Sequence, residues 1–442
     1  MMHYPPGPTP SRQELLKFAQ NPLTYLTTLA HQYGEFSYVK LGNRDTYVVT
    51  APDILREILV EKADKFQKPG HTRDSASRFL GEGLLVSSGA VHQRHRRIMQ
   101  PLFTRSALEP HAGSMLQAVQ AMTVHWERCT EIDAAGEMMN LALNIVGSIM
   151  FGVSTLAHDQ SLRTATSVMQ QYSGNTLVRS KLTALTEADI QSAVDTLDGL
   201  VRGILERPHD TPGLNLVTLL QTAVDPVTGD RLSVGEVRDE ALNILMAGHE
   251  TTAIALTWAL YLLAKHPDVQ EQVTAEVGQV LGNRPITSAD VPTLTGLGQV
   301  IQETLRLYPP AWLLGRTPVE PVTIAGYPIL PEANLVISPY VIHRNAERFP
   351  DPEQFLPARF AQEPGRFAYV PFGVGPHVCL GQPFAQLEMV ITLATLLQHF
   401  RFSLPEGVEA VPEALMTLRP QGGMRLHVER IGTSVELGRS HE

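Results

Sequence analysis

The sequence predicts a mainly α fold with a smaller β portion. Three observations predict it. Residues 105 to 282 carry helical periodicity almost without interruption. Within them, Val234 to Lys265 forms one capped run of about 48 Å, comparable to a domain diameter. Strand-like alternation is confined to two portions, about 35–50 and 320–340.

The elements follow in chain order. Pro5-Pro6-Gly7-Pro8 is an extended opening, and Leu15 to Tyr33 is helical in pattern. Phe36 to Leu41 and Thr46 to Val49 flank Gly42-Asn43-Arg44-Asp45 and read as a hairpin. Helical patterns run from Pro52 to Glu61 and from Gly89 to Met99, with an irregular stretch, 62–88, rich in Gly and Ser between them. In the long helical part, breaks are expected around 131–134, 157–160, 174–186 and 207–213. Ser233 and Glu236 form a capping box ahead of Val234, and His266-Pro267 ends that helix. A second helix runs to Leu281, and a third, Leu297 to Tyr308, stops at Pro309-Pro310. Val322 to Ala325, a Gly326 turn and Leu335 to Ile337 are strand-like. Phe349 to Phe372 is proline-rich without periodicity, and Gln382 to Phe400 is a last helix before short strands. No internal repeat or flexible linker is visible, so residues 1–442 read as a single domain.

Bulk properties narrow the function. The chain has 442 residues, of which 43% are hydrophobic, enough for a sizeable core. A formal net charge of −10 argues against nucleic acid and anionic membrane as general partners. Two cysteines exclude a disulfide framework and suit a reducing cytoplasmic location. The N-terminus shows no apolar leader, and Ala253 to Ala264, interrupted by Thr257, is too short to span a bilayer. The reading is a soluble protein without a membrane anchor.

The chemistry centres on Phe372-Gly373-Val374-Gly375-Pro376-His377-Val378-Cys379-Leu380-Gly381. The glycines allow a tight turn that aims N–H groups at the sulfur, and a helix N-terminus follows at Gln382-Pro383. Both favour the Cys379 thiolate, a metal ligand. The competing reading is a small buried hydrophobe, which fits Cys129. Zinc is excluded by ligand count, because no Cys-x-x-Cys pair exists.

This spacing, Phe-Gly-x-Gly-x-His-x-Cys-x-Gly, resembles the haem-binding signature of the cytochrome P450 family, and the resemblance covers about Pro5 to Val428 in the right order. It implies the P450 fold, with the long helix crossing a haem b (iron protoporphyrin IX) whose iron Cys379 ligates. A thiolate ligand favours O–O cleavage. Phe372, Gly373 and Gly381 shape the ligand loop.

Ala247-Gly248-His249-Glu250-Thr251-Thr252 resembles the family's oxygen-activation motif. The resemblance makes Glu250 the acid and Thr251 the hydroxyl of a proton relay, with Ala247 and Gly248 lining the cofactor. Thr hydroxyls that bond back to the i−4 carbonyl, with Gly248, open a local groove. The alternative for this hexapeptide alone is a packing notch at Gly248 and a surface acid at Glu250. Glu303-x-x-Arg306, with Arg359 from Phe355-Leu356-Pro357-Ala358-Arg359-Phe360, resembles the family's brace behind the cysteine loop. Haem propionates need cationic partners. The family positions are His92, Arg96, Arg316 and His377, where tryptophan is frequent in place of His92 and arginine in place of His377. Family substrate regions supply Phe79, Leu84, Leu85, Ala311, Trp312, Leu313, Leu314, Leu415 and Met416, with a stretch around 170–185. These residues are apolar, as expected of a site for a lipophilic small molecule.

The implied activity inserts one oxygen atom from O₂ into that molecule. No Gly-x-Gly-x-x-Gly nucleotide site or reductase segment is present, so electrons are expected from a separate ferredoxin or flavodoxin-type donor. Arg94 and Arg97 are the expected docking cations. The alternatives are an H₂O₂-driven peroxygenase, whose family members typically lack the acid–Thr pair, and a non-catalytic haem protein that binds a small molecule or gas.

Overall fold

A computed structural model describes residues 3–153, 160–174, 185–206 and 215–431. The expected breaks around 157–160, 174–186 and 207–213 lie wholly or largely outside these residues, as do 175–184 of the expected substrate stretch.

The central helix spans Val234–Lys265. Its capping box is formed: Glu236 N–H donates to Ser233 Oγ at 3.3 Å, and Ser233 N–H donates to Glu236 Oε2 at 2.7 Å. From Glu240 to Ala264 every residue is buried except Ile244, Ala247, Gly248 and Thr251. Helices Ala134–Phe151, Pro267–Leu281, Thr295–Leu307 and Gln382–His399 pack around it. Ala134–Phe151 is long and apolar enough to cross a membrane, but 61% of it is buried inside the fold. Its partner there is the central helix. Trp258 stacks on Tyr308 with ring centres 3.8 Å apart and donates its indole N–H to Leu418 O at 2.8 Å. Burial of such a ring contributes on the order of 3 kcal/mol, and the bond fixes the chain near Leu418 against the central helix.

The two strand-rich portions meet in one five-stranded sheet, ordered Phe36–Leu41, Arg44–Val49, Asn334–Ile337, Leu314–Pro318, Phe66–Gln67. The hairpin turns at Gly42-Asn43, two residues tighter than its sequence suggests. Thr46 pairs in parallel with Asn334, so residues nearly 300 positions apart share a register. Phe66–Gln67 pairs antiparallel with Pro318 and Thr317 at the edge.

Two expectations are corrected. Leu15 to Tyr33 is two helices, Arg12–Gln20 and Pro22–Tyr33, because Asn21 is extended and caps the second through Thr24 N–H. The 62–88 stretch is not irregular throughout: Gly70–Leu80 is a helix. Its fully buried Phe79 and the neighbouring Leu80 pack it against the helices Gln160–Gly174 and Val234–Lys265. Tertiary burial overrides its weak helix propensity.

Candidate active site

The cysteine loop is built by backbone geometry. Gly373 and Gly375 have φ of +70° and +76°. At Gly375 a Cβ would lie 1.9 Å from Leu59 O, so only glycine fits. Cys379 N–H donates to Phe372 O at 2.8 Å and closes the loop. Phe372 packs against the main core, and Gly381 ends the loop, where an added Cβ would lie 4.0 Å from the Cys379 sulfur. The N–H groups of Gly381 and Gln382 point at that sulfur, as the sequence suggests. Burial nevertheless outweighs them and the Arg96 charge, and raises the thiol above its ordinary value. A cation bound at the sulfur would favour the thiolate against that burial. The Cys379 residue itself keeps exposed surface. Among the described residues no three His, Cys, Asp or Glu groups gather to hold a metal ion. The donor set suits an iron that brings its other ligands with it.

Behind the loop sits a charged brace. Arg306, fully buried, donates to Glu303 from Nε at 2.7 Å and Nη2 at 2.9 Å, and to the carbonyls of His343, Pro352 and Gln354. Arg359 Nε and Leu356 N–H both donate to Glu303 Oε1, at 3.0 and 2.8 Å. His343 accepts Val370 N–H at 2.8 Å, and burial pushes its imidazole down to about 3, so it is neutral. Nothing in the sequence marks His343 as the link between brace and loop.

Four cationic positions nominated by the sequence come together. Arg96 Nη1 donates to Val378 O at 2.7 Å, one residue before the cysteine. His92 and His377 rings lie 4.0 Å apart, and His377 Nδ1 is buried without a partner. Among the described residues Arg316 bonds only the neighbouring carbonyl of Gly315, at 2.7 Å. Burial lowers Arg316 to about 10, and burial with the neighbouring cations lowers His92 to about 3. An unpartnered buried imidazole nitrogen and an unpaired guanidinium fit a cofactor carrying carboxylates.

On the other side, Ile244, Ala247, Gly248 and Thr251 form a stripe at i, i+3, i+4 and i+7. They alone are half-buried between Glu240 and Ala264. Gly248 also packs on its neighbour: a Cβ there would lie 3.1 Å from Val146 Cγ2. Thr251 Oγ1 donates to Ala247 O at 2.8 Å, the expected back-bond. Glu250 is buried and turned away from the stripe. Its Oε1 accepts from Thr417 Oγ1 at 2.7 Å, and its Oε2 has no partner. Glu250 lies on a crevice of about 320 Å³ shared with Ala135, Met139, Gln170 and Arg419. The acid and hydroxyl are thus not hydrogen-bonded to each other, contrary to a simple adjacent relay. Thr417 is a site residue that sequence reading misses.

These features match one known group. The cytochrome P450 profile matches residues 4–427. The chain belongs to the cytochrome P450 family. It is 32% identical to cyclooctatin synthase of Streptomyces melanosporofaciens over 93% of this chain and 92% of that protein. It is 29% identical to pentalenene oxygenase of Streptomyces avermitilis over 96% of each chain. A third relative, cyclooctat-9-en-7-ol 5-monooxygenase of S. melanosporofaciens, is 30% identical over 90% of this chain and 88% of that protein. This P450 is a haem-containing monooxygenase: it inserts one oxygen atom from O₂ into a lipophilic small molecule, with electrons from redox partners.

The expected docking and substrate residues of this P450 have the following partners and burial. Arg94 donates to Glu236 Oε1 and Arg231 O, both at 2.6 Å, and Arg97 grips fully buried Asp225 at 2.5 and 2.9 Å. Each arginine is paired with a carboxylate at the partly exposed surface, which lowers the local positive charge below that of two free cations. Phe79 is fully buried in the main core, and Trp312 is buried and donates its indole N–H to Leu415 O at 2.8 Å. Leu85, Leu415 and Met416 stay exposed, and Leu84, Ala311, Leu313 and Leu314 are half-buried.

Proposed function

We propose that this P450 binds haem b between the stripe of the central helix and the Cys379 loop, with Cys379 on the iron and His92, Arg96, Arg316 and His377 on the propionates. Arg96 carries this reading, because its bond to Val378 O joins the cationic cluster to the cysteine loop. The bound haem supplies activation of O₂. The protein's part is to hold and move protons: Thr251 places a hydroxyl on the stripe, and Glu250 carries a carboxylate at the inner end of the crevice. The side-chain bonds of both must rearrange to connect them, because Thr251 now spends its proton on Ala247 O. Residues 1–442 act as one unit.

The substrate is of terpenoid type. Support comes from the names of the relatives, two of which state pentalenene and cyclooctat-9-en-7-ol. A ferredoxin or flavodoxin-type donor rests on the family resemblance alone, now that Arg94 and Arg97 are internally paired. Cytoplasmic placement is supported by two free cysteines, Cys129 and Cys379. The test is a terpenoid panel scored by the haem spectrum, then turnover with a reduced ferredoxin or with peroxide alone. Product formed only with the electron donor supports a monooxygenase; product formed equally well with peroxide alone would make this a peroxygenase.

A further inference from the structure

One turn of the helix Gly89–Met99 ties two parts of the site together. Arg96 Nη1 reaches Val378 O at 2.7 Å, beside Cys379. Its chain neighbour His95 turns to the central helix instead. His95 Nδ1 lies 2.6 Å from Glu240 Oε1, and its Nε2 lies 3.1 Å from Glu236 Oε1. His95 is 1% exposed and Glu240 0%, so their contact is closed to bulk water. The other Glu240 oxygen accepts Leu84 N–H at 3.2 Å.

Both ring nitrogens of His95 thus face a carboxylate oxygen. Each of the two lines needs a proton, because two bare acceptors at that range repel. A neutral imidazole brings only one. The second is held as imidazolium or as the acid form of Glu240, and the buried pair shares it. Burial alone would lower His95, but the bonds and charges of Glu240 and then Glu236 outweigh it and raise it above its ordinary value of 6.5. Burial likewise acts to raise Glu236, but Ser233 N–H, His95 and Arg94 bring it down to about 2. The other charged or titratable groups around the pair come from three segments. His92 and Arg96 lie on the same helix, and Arg94 engages Glu236. Lys68 lies near Glu240. Asp239, beside Glu240 in sequence, holds Glu82 N–H and Arg238. The turn Gln100–Phe103, packed on the same helix, brings none. The stability this proton contributes is complete below 6.5 and is lost as pH rises through the raised value of the folded state.

We propose that His95 is a positioning residue for the cysteine loop: with a proton on each of its two N···O lines, it locks the helix Gly89–Met99 onto the central helix and so seats Arg96 on Val378 O. When the shared proton leaves at alkaline pH, two buried acceptors face each other, the helix withdraws, and Arg96 leaves the loop. The backbone at Leu84 loosens with it, because it bonds the same carboxylate. The inference rests on Cys379 as the iron ligand.

The holo-protein is reduced under CO from about pH 6 to about pH 10, a range that brackets a raised imidazole. The red-shifted Soret band is measured for the parent, His95→Gln and Glu240→Gln. Hydrogen exchange of peptides covering 89–99 and 372–381, corrected for its intrinsic pH dependence, is followed alongside. In the parent the band should fall in a one-proton step above the ordinary imidazole value, and both peptides should loosen at the same pH. Glu240→Gln removes the charge that holds the proton. Its midpoint should move down by about one pH unit or more, a tenfold weaker hold. His95→Gln should show a smaller band throughout and no step. A step at the same pH in all three proteins, or none in the parent, overturns the proposal. So does a His95→Gln protein with the parent's full band and exchange. If 89–99 loosens while 372–381 and the band stay, His95 holds its own helix alone and the proposal fails. Should His95→Gln not fold, the midpoint of Glu240→Gln decides. A parent with no red-shifted band at any pH overturns the Cys379 reading and this inference together.

Discussion

Thr417 Oγ1 donates to Glu250 Oε1 at 2.7 Å, across 167 positions of sequence. Both side chains are buried, and Thr417 is the one donor this carboxylate has among the described residues. The turn carrying Thr417 is itself pinned, with Leu418 N–H on Pro310 O and Leu418 O on Trp258. Glu250 is therefore held by a fixed hydroxyl at the inner end of a crevice, not by its helix neighbour Thr251.

Thr417→Val should loosen that hold. It leaves a buried carboxylate with both oxygens unbonded, an expense of about 1–3 kcal/mol. Product formed per electron pair should fall several-fold and hydrogen peroxide should rise, while Thr417→Ser stays near the parent. Equal coupling in the valine variant and the parent would remove Thr417 from the proton path.

Thr251→Ala tests the other end. Among the described residues Thr251 Oγ1 bonds only Ala247 O within its own helix, so its loss removes no hydrogen bond between described elements. The melting temperature and substrate affinity should change little. Product formation should fall on the order of 10²-fold, with reduced O₂ leaving as hydrogen peroxide. A variant with full coupling would show that the hydroxyl serves the helix alone.

Much of this arrangement was legible because its signals are local. The capping box at Ser233 and Glu236, the stop at His266-Pro267 and the glycines around Cys379 each act within a few residues. What escaped depends on distant partners. Gly70–Leu80 becomes a helix because Phe79 finds a core to enter. Arg94 and Arg97 read as a basic patch until the fold brings Glu236 and Asp225 to them. Thr417 matters through Glu250, far away in sequence, and sits in no motif.

Removing Cys379 tests the metal assignment. The N–H groups of Gly381 and Gln382 are directed at its sulfur. The reduced parent with CO should show the red-shifted Soret band of thiolate ligation. Cys379→Ala should lack that band and all monooxygenase turnover. A retained band would mean another residue ligates the iron.

The brace should be far more sensitive than any surface ion pair. Arg306 and Glu303 are both fully exclude from solvent and share Arg359, Leu356 N–H and three carbonyls. Arg306→Met strands Glu303 and orphans the carbonyls of His343, Pro352 and Gln354. Stability should drop by about 3–5 kcal/mol, and haem incorporation should drop with it, read by thermal melting and by the ratio of Soret to protein absorbance. A stable, haem-replete methionine variant would show that the loop stands without its brace.

Glu388 sets a pH dependence with the opposite sign to most carboxylates. It is fully buried on the helix Gln382–His399, and among the described residues neither carboxylate oxygen has a partner, nor has Thr392 Oγ1 one turn on. Burial raises its carboxyl well above the ordinary carboxylate value. The folded protein thus keeps a proton that the unfolded chain gives up near its ordinary value of 4.5. Below that pH the group costs the fold nothing through ionisation. As pH rises above it, the unfolded state gains stability, by at most about 1.4 kcal/mol per pH unit, until the folded carboxyl ionises too. Glu388→Gln removes the ionisation and keeps the shape. Its melting temperature should exceed the parent's at pH 8, with the gap closing toward pH 5. A gap that widens as pH falls would mean that Glu388 is ionised in the fold and held there by a cation.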